Sequence, residues 1–527
     1  MPFHLIANGM EMESSILKFR YFFAKKGRAV KIYDSSITEK NNTVFFLIRE
    51  EYDRKLVIIY PSESHDILHR RFFCDEEGRL NEKLNYKVCP CNSHNASELR
   101  GIFPFTKPHV MGLTSAIGTG DRIGLATPGH IRAIRKYGVF PVLAQQSIRE
   151  MKRTGRSPRE VIDDVTWAVF QEGYRGGFAA DADHLKTEED VKETFKAGFT
   201  MYTIDPSDYV DDEAGEYSLG TLKEKFKRLP WDELGCREDE LLKTYLGKEF
   251  TIESSDKMYS LKLSFSEEDL LRAAVKYSAA IAHTLRLKIL LDKLFNGGKY
   301  DLELSVDETD TPTSLLEHLF IALELRRLNI HVQGLALRFV GRFEKAIDYI
   351  GDLKEFERTF MYHVLIAKKF GPYKLSIHSG SDKFSIYPIL GRHGRDMIHL
   401  KTSGTSYLES LRIIARYDPQ LFREIIDYSI KRFEEDRKTY HLSTDLSKIL
   451  SPSEIADHEL EKAYLDDENG RQVLHVTYGS ILTARREDGG WLFRNRIKRV
   501  LIDNEEEYYR VIAEHIERHI KPLWFTR

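Results

Sequence analysis

Two short segments carry the residue types that do chemistry in this chain, Asp183-His184 and His378-Ser379-Gly380-Ser381-Asp382-Lys383. Two imidazoles with a carboxylate beside one of them suit a divalent cation held through nitrogen and oxygen, the carboxylate moving protons in metal-assisted carbon–carbon bond chemistry. Each segment ends a short apolar run that reads as a β-strand. Their polar side chains are therefore expected at strand carboxyl ends, where α/β barrels build their sites. Alternation across 301–310 turns Asp307 inward and leaves Glu308 at the turn, where alternation stops holding. Glu308 is the preferred third ligand beside His184 and His378, because a strand-end turn can direct it at the ion.

In 178–186 the same alternation puts Asp181 and Asp183 on one face and the alanines on the other, with His184 just past the strand end. A histidine that merely caps the following helix is the competing reading. Arg338 falls on an inward face, and a cation buried there needs an anionic partner, from the protein or from a substrate carboxylate. Lys374, Ser376 and His378 share a face, after which Ser379-Gly380-Ser381 offers hydroxyls and backbone N–H groups and Asp382 and Lys383 follow. Asp121 and Arg122, in Gly118-Thr119-Gly120-Asp121-Arg122-Ile123-Gly124, could grip hydroxyls and a carboxylate. The third glycine there stands one place too late for a dinucleotide fingerprint, so no NAD is expected.

These residues need a scaffold, and the texture of the chain supplies one. Apolar segments at 111–117, 139–144, 177–182, 200–204, 300–306, 332–339, 373–377 and 397–401 alternate with charged amphipathic stretches, the pattern of a (β/α)8 barrel in an α/β protein. The barrel is expected over 105–410, with an insertion at 207–265 between its fourth and fifth units. Residues 1–104 read as a β-rich accessory domain and 411–527 as a mostly helical region containing one strand-like run at 472–478.

Composition narrows the function classes. The 527 residues include 79 Lys and Arg against 82 Asp and Glu, a formal charge of -3, which gives no attraction for nucleic acid. No run approaches about 18 apolar residues, and the amino terminus lacks a basic segment followed by an apolar one, so a cytoplasmic protein without a membrane segment is expected. Cys74, Cys89, Cys91 and Cys236 are expected to be reduced or incidental thiols, since the Cys-Pro-Cys at 89–91 has no second pair to complete a zinc site. Oligomeric state is not readable from the sequence.

Over Gly120-Asp121-Arg122-Ile123-Gly124-Leu125-Ala126-Thr127-Pro128-Gly129-His130, Ala182–Lys186, Ser305–Thr309, His378–Lys383 and His475–Gly479, the chain resembles the tagaturonate epimerase family. These are metal-dependent enzymes of hexuronate catabolism that interconvert D-tagaturonate and D-fructuronate. Asp183-His184 and His378–Ser381 also resemble the metal-site segments of class II aldolases.

The two resemblances imply a divalent cation (Zn, Mn, Ni or Co) on His184, Glu308 and His378, with Asp183 as proton acceptor and Asp121 as a second acid/base. They imply a ketohexuronate substrate held by Arg122, Arg338, Ser379, Asp382 and Lys383. Arg338, Lys383 and His475 are the candidates for its carboxylate. A role for His475 requires the C-terminal region to fold over the barrel mouth, and a buried structural histidine competes with it. Two other readings stay open: a class II aldolase that releases its fragments, and a non-catalytic, metal-stabilised sugar-binding or regulatory protein.

Overall fold

The computed structural model describes residues 15–64, 66–254 and 257–525; the amino-terminal stretch read as lacking a leader lies outside them at 1–14. Eight parallel strands close a barrel: Ala116–Gly118, Phe140–Ser147, Ala179–Leu185, Met201–Ile204, Asp301–Val306, Gly334–Leu337, Lys374–Ile377 and Ile398–Lys401. Each overlaps one of the eight expected segments.

Period-two alternation explains the layering. Outward residues such as Ala180, Ala182, Leu302, Leu304, Leu375 and Leu400 are buried against the surrounding helices. Apart from an apolar layer of Ala116, Val142, Ala179 and Met201, inward positions such as Asp181, Glu303 and Lys401 are polar, where such barrels usually carry branched apolar side chains. Gly334 faces the Glu303 carboxylate, which an added Cβ would strike. At the foot, Asp301 accepts the N–H groups of Met111 and Gly112, and Lys374 Nζ donates to the carbonyls of Gly112 and Thr114. Those backbone groups are thereby withdrawn from any ladder, so the first strand starts at Ala116 and not at 111.

The amino-terminal sheet has five antiparallel strands, from Lys31–Lys40 to Leu84–Pro90. The expectation of unpaired thiols is corrected here. The pairing that sets Glu76 opposite Val88 brings Cys74 beside Cys89, and the two form a disulfide, while Cys91 and Cys236 are free.

Between the fourth and fifth barrel strands lie short helices and the hairpin Glu249–Glu253/Ser260–Ser264, followed by the long helix Glu267–Phe295. A reciprocal Ser266/Asp269 cap starts that helix, and Asn296 in the left-handed region ends it.

The C-terminal region is helical, and the strand expected at 472–478 is instead part of helix Glu468–Val476 and its continuation Tyr478–Thr483. Val473 and Val476 pack on Phe433, while Leu474 and Tyr478 join a second buried cluster. Spacings of three and four residues, not two, separate these faces, so tertiary packing overrides the β-branched local pattern. Among the described residues no helix is long and apolar enough to cross a membrane.

Candidate active site

The carboxyl ends of the barrel strands open into a cavity of about 730 Å3. Asp183, His184, His378 and Lys401 line it from the barrel, and Tyr440 and His475 from the C-terminal region. That region does fold over the mouth.

A bulge accounts for the exposure of two consecutive residues to one cavity. The third strand pairs Ala182 with Tyr202 and next Leu185 with Ile204, so it carries one extra residue, and His184 takes a φ of 52°. The extra residue re-aims the chain, and Asp183 and His184 both reach the mouth.

A carboxylate lies within 3.2 Å of one ring nitrogen of His184 and of both ring nitrogens of His378. His184 Nδ1 lies 3.2 Å from Asp205 Oδ2, which leaves Nε2, 3.9 Å from Asp183 Oδ2. His378 Nε2 lies 2.9 Å from Glu303 Oε1; its Nδ1 is 3.1 Å from Asp307 Oδ1 but makes no hydrogen bond. The ring centroids are 5.0 Å apart. Carboxylates that take one imidazole N–H and leave the other nitrogen free are the usual outer partners of metal-binding histidines. Asp183, His184 and His378 offer ligand atoms within 4.8 Å of one another, and His184, Asp205 and Glu308 form a second such group. This nitrogen–oxygen donor set could hold a divalent metal ion.

Beneath the histidines Lys401 Nζ is 2.8 Å from Asp181, 2.7 Å from Asp183 and 2.7 Å from Glu303, and it donates to Thr203 Oγ1. Burial alone would strip the lysine of its proton, but three carboxylates hold its pKa well above the ordinary value. Burial dominates at Asp181, raised to about 6. At Asp183 burial pushes the same way, yet Lys401 and the two histidines overcome it and keep the carboxylate ionised. Removing one member of such a network is expected to cost more than the network contributes, because a buried charge is left unpaired.

Burial would depress His378, but Asp307 and Glu303 raise it to about 10. Without a cation its imidazolium therefore stabilises the fold fully below its unfolded pKa of about 6.5, and that contribution is lost as pH rises through the folded value. A cation bound through this nitrogen would have to displace the proton. Apparent affinity for Zn²⁺ should thus rise about tenfold per pH unit between roughly pH 6 and pH 8, with protons released on binding. Titration calorimetry in buffers of different ionisation enthalpy measures both, and an affinity flat with pH would contradict the site.

A tagaturonate epimerase family model matches residues 33–523. The chain belongs to the tagaturonate epimerase family. It is 43% identical over 498 residues to the tagaturonate/fructuronate epimerase of Thermotoga maritima, covering 94% of this chain and 98% of that one. It superposes on the crystal structure of fructuronate-tagaturonate epimerase UxaE from Cohnella laeviribosi with a TM-score of 0.87 at 37% identity, over 98% of this chain and 99% of that one. The native form of that protein gives 0.86.

For this member of the tagaturonate epimerase family the structure withdraws four of the expected site residues from the cavity. Asp121 accepts N–H groups from Ile123, Gly124, Ala126 and Thr127, capping the turn into helix Thr127–Tyr137, so it is not placed to be a second acid/base. Arg122 is 2.5 Å from Glu150 and stacks on Tyr478. Asp382 pairs with Arg471 at 2.6 Å and gives its N–H to His519. Lys383 Nζ donates to the carbonyls of Glu344, Ile347 and Ser381, and burial pushes it down to about 7. Each of these charges is satisfied inside the protein, as burial demands.

Arg338, Ser379, Glu308 and His475 do line the cavity. Glu308 is partly exposed and 3.6 Å from Arg149. His475 has an unbonded Nδ1, and burial with its cationic neighbours keeps it neutral. Glu303, Asp205, Gln145 and Lys401 were missing from the sequence reading. The Ile398-His399-Leu400-Lys401 alternation is the signal that points Lys401 inward.

Proposed function

We propose that this protein interconverts D-tagaturonate and D-fructuronate by inverting the carbon β to the ketone, through retro-aldol cleavage and re-addition. The observation that carries this is the pair of carboxylate-steered histidines that offer ligand atoms within 4.8 Å of one another and of Asp183 at the barrel mouth. The C–H bond at the β-carbon is not acidified by the ketone, so enolisation alone leaves it unchanged. Breaking the bond between that carbon and its neighbour next to the ketone frees its configuration.

His184 and His378, with Glu308 as carboxylate ligand, would hold a divalent cation, which would supply Lewis-acid stabilisation of the charge that develops on the ketone oxygen. Asp183 takes the β-hydroxyl proton. Lys401 and Gln145 Nε2, the latter 3.2 Å from Oδ2, hold its carboxylate in place. A second reading, Asp183 as a ligand, is favoured by its place in the group with both histidines. Arg338 is the clamp for the substrate carboxylate, because among the described residues it has no carboxylate partner and its Nε is buried without a hydrogen bond. Ser379 offers a hydroxyl to the same cavity.

Protein, Mn²⁺ or Zn²⁺ and tagaturonate should yield fructuronate. Net release of a three-carbon aldehyde instead would favour the aldolase, and an unchanged sugar the binding protein. In D₂O the β-carbon keeps its hydrogen throughout, so NMR should find that position unlabelled while its configuration inverts. Deuterium there would contradict retro-aldol cleavage. Bound nicotinamide in the purified protein would point to oxidation with internal return.

A further inference from the structure

With Asp121 committed to a helix cap, inversion needs its second proton-transfer group from elsewhere in the cavity. The aldehyde formed on cleavage must present its opposite face before the bond re-forms, so its oxygen ends on the side away from Asp183. One carboxylate cannot serve both positions.

The charge inventory of the cavity supplies a candidate. Arg149 pairs with Glu308, Arg342 with Glu344 at 3.5 Å, Arg437 with Glu434 at 3.8 Å, and Lys401 with three carboxylates. Among the described residues only Arg338 and Lys345 line the cavity as cations without a carboxylate partner. Lys345 Nζ donates instead to Ser379 Oγ at 2.6 Å. Ser379 follows His378 directly and is held at a φ of 51°, a conformation that a serine adopts only under constraint from its surroundings. Two cations without a carboxylate partner match in number the two substrate oxygens that carry charge during the reaction, the carboxylate and the β-oxygen. A guanidinium cannot release a proton at any accessible pH, whereas an ammonium can.

We propose that Lys345 is the second acid/base residue, protonating the β-oxygen on the face opposite Asp183; this rests on the retro-aldol reading above. Asp183 takes the β-hydroxyl proton as the carbon–carbon bond breaks, and the bonding pair is left on the fragment bearing the ketone. After the aldehyde turns, that pair attacks the carbonyl carbon from its other face. The oxygen, now an alkoxide, takes a proton from the Lys345 ammonium. Solvent then removes the proton from Asp183 and restores that of Lys345, so nothing is oxidised or reduced. In the reverse direction the two residues exchange roles.

The roles separate in a single turnover. With enzyme in excess and an acid quench, the three-carbon aldehyde acid is captured as its hydrazone and measured by mass spectrometry, starting from each epimer in turn. Lys345→Met should cleave one epimer near the wild-type rate and the other about 10²-fold more slowly, with net epimerisation lost in both directions. Lys345→Arg keeps the charge and should behave the same way. Asp183→Asn should show the opposite preference between epimers. Arg338→Leu should raise KM for both epimers alike. If Lys345→Met slows cleavage of both equally, or leaves epimerisation intact, Lys345 is not an acid/base. If the wild-type protein yields no aldehyde from either epimer, the retro-aldol reading falls and this assignment falls with it.

Discussion

His378→Ala should purify without its divalent cation and turn over at least about 10³-fold more slowly, a loss near 4 kcal/mol of the several that a Lewis-acidic ion supplies. The fold should survive, because Glu303 keeps Lys401 at 2.7 Å after losing the imidazole. Elemental analysis of the purified variant, with circular dichroism as the control, reads this directly. His184→Ala should behave alike. Glu303→Gln loosens the His378 ring and also takes one of the three carboxylates from Lys401, and it should cost metal affinity about 10–100-fold. Full metal content and activity in His378→Ala would end the proposed site. Separate Asp307→Asn and Glu308→Gln variants assign the carboxylate ligand: Asp307 stands 3.1 Å from His378 Nδ1, while Glu308 groups with His184.

The barrel was legible because its physics is local. Eight short apolar runs at α/β spacing admit few other architectures, and alternation inside them correctly turned Asp181 and Asp183 inward. His184 was expected past a strand end, yet it reaches the cavity through a bulge with a left-handed backbone, which no residue type announces at a histidine. Lys383 and Asp382 follow a Ser-Gly-Ser turn that reads as a mouth loop. The chain turns back beneath the C-terminal helices, where Arg471 and the carbonyls of Glu344 and Ile347 meet those charges, and contacts so far apart in sequence leave no local pattern. Asp121 was misread because an Asp before a glycine turn is equally apt to bind a ligand or to cap a helix, and only the N–H groups of 123–127 decide. The run at 472–478 has strand composition and a helical fate, decided by Phe433 on one side and a second core on the other.

Asp183→Asn separates proton transfer from metal binding at adjacent residues. The substitution is nearly isosteric, and Lys401 retains Asp181 at 2.8 Å and Glu303 at 2.7 Å, so the barrel should stand. Asparagine cannot take the β-hydroxyl proton. Turnover should therefore fall about 10²–10⁴-fold with KM little changed and cation content near wild type. Loss of the cation together with activity would make Asp183 a ligand. The acceptor would then have to come from the other carboxylates of the cavity, Asp307, Glu308, Asp310 or Glu344, since Asp121 and Asp382 are bound up elsewhere in the fold. Wild-type turnover would leave Asp183 with no part in the chemistry beyond neutralising Lys401, and the aldolase-like reading of this strand would fail.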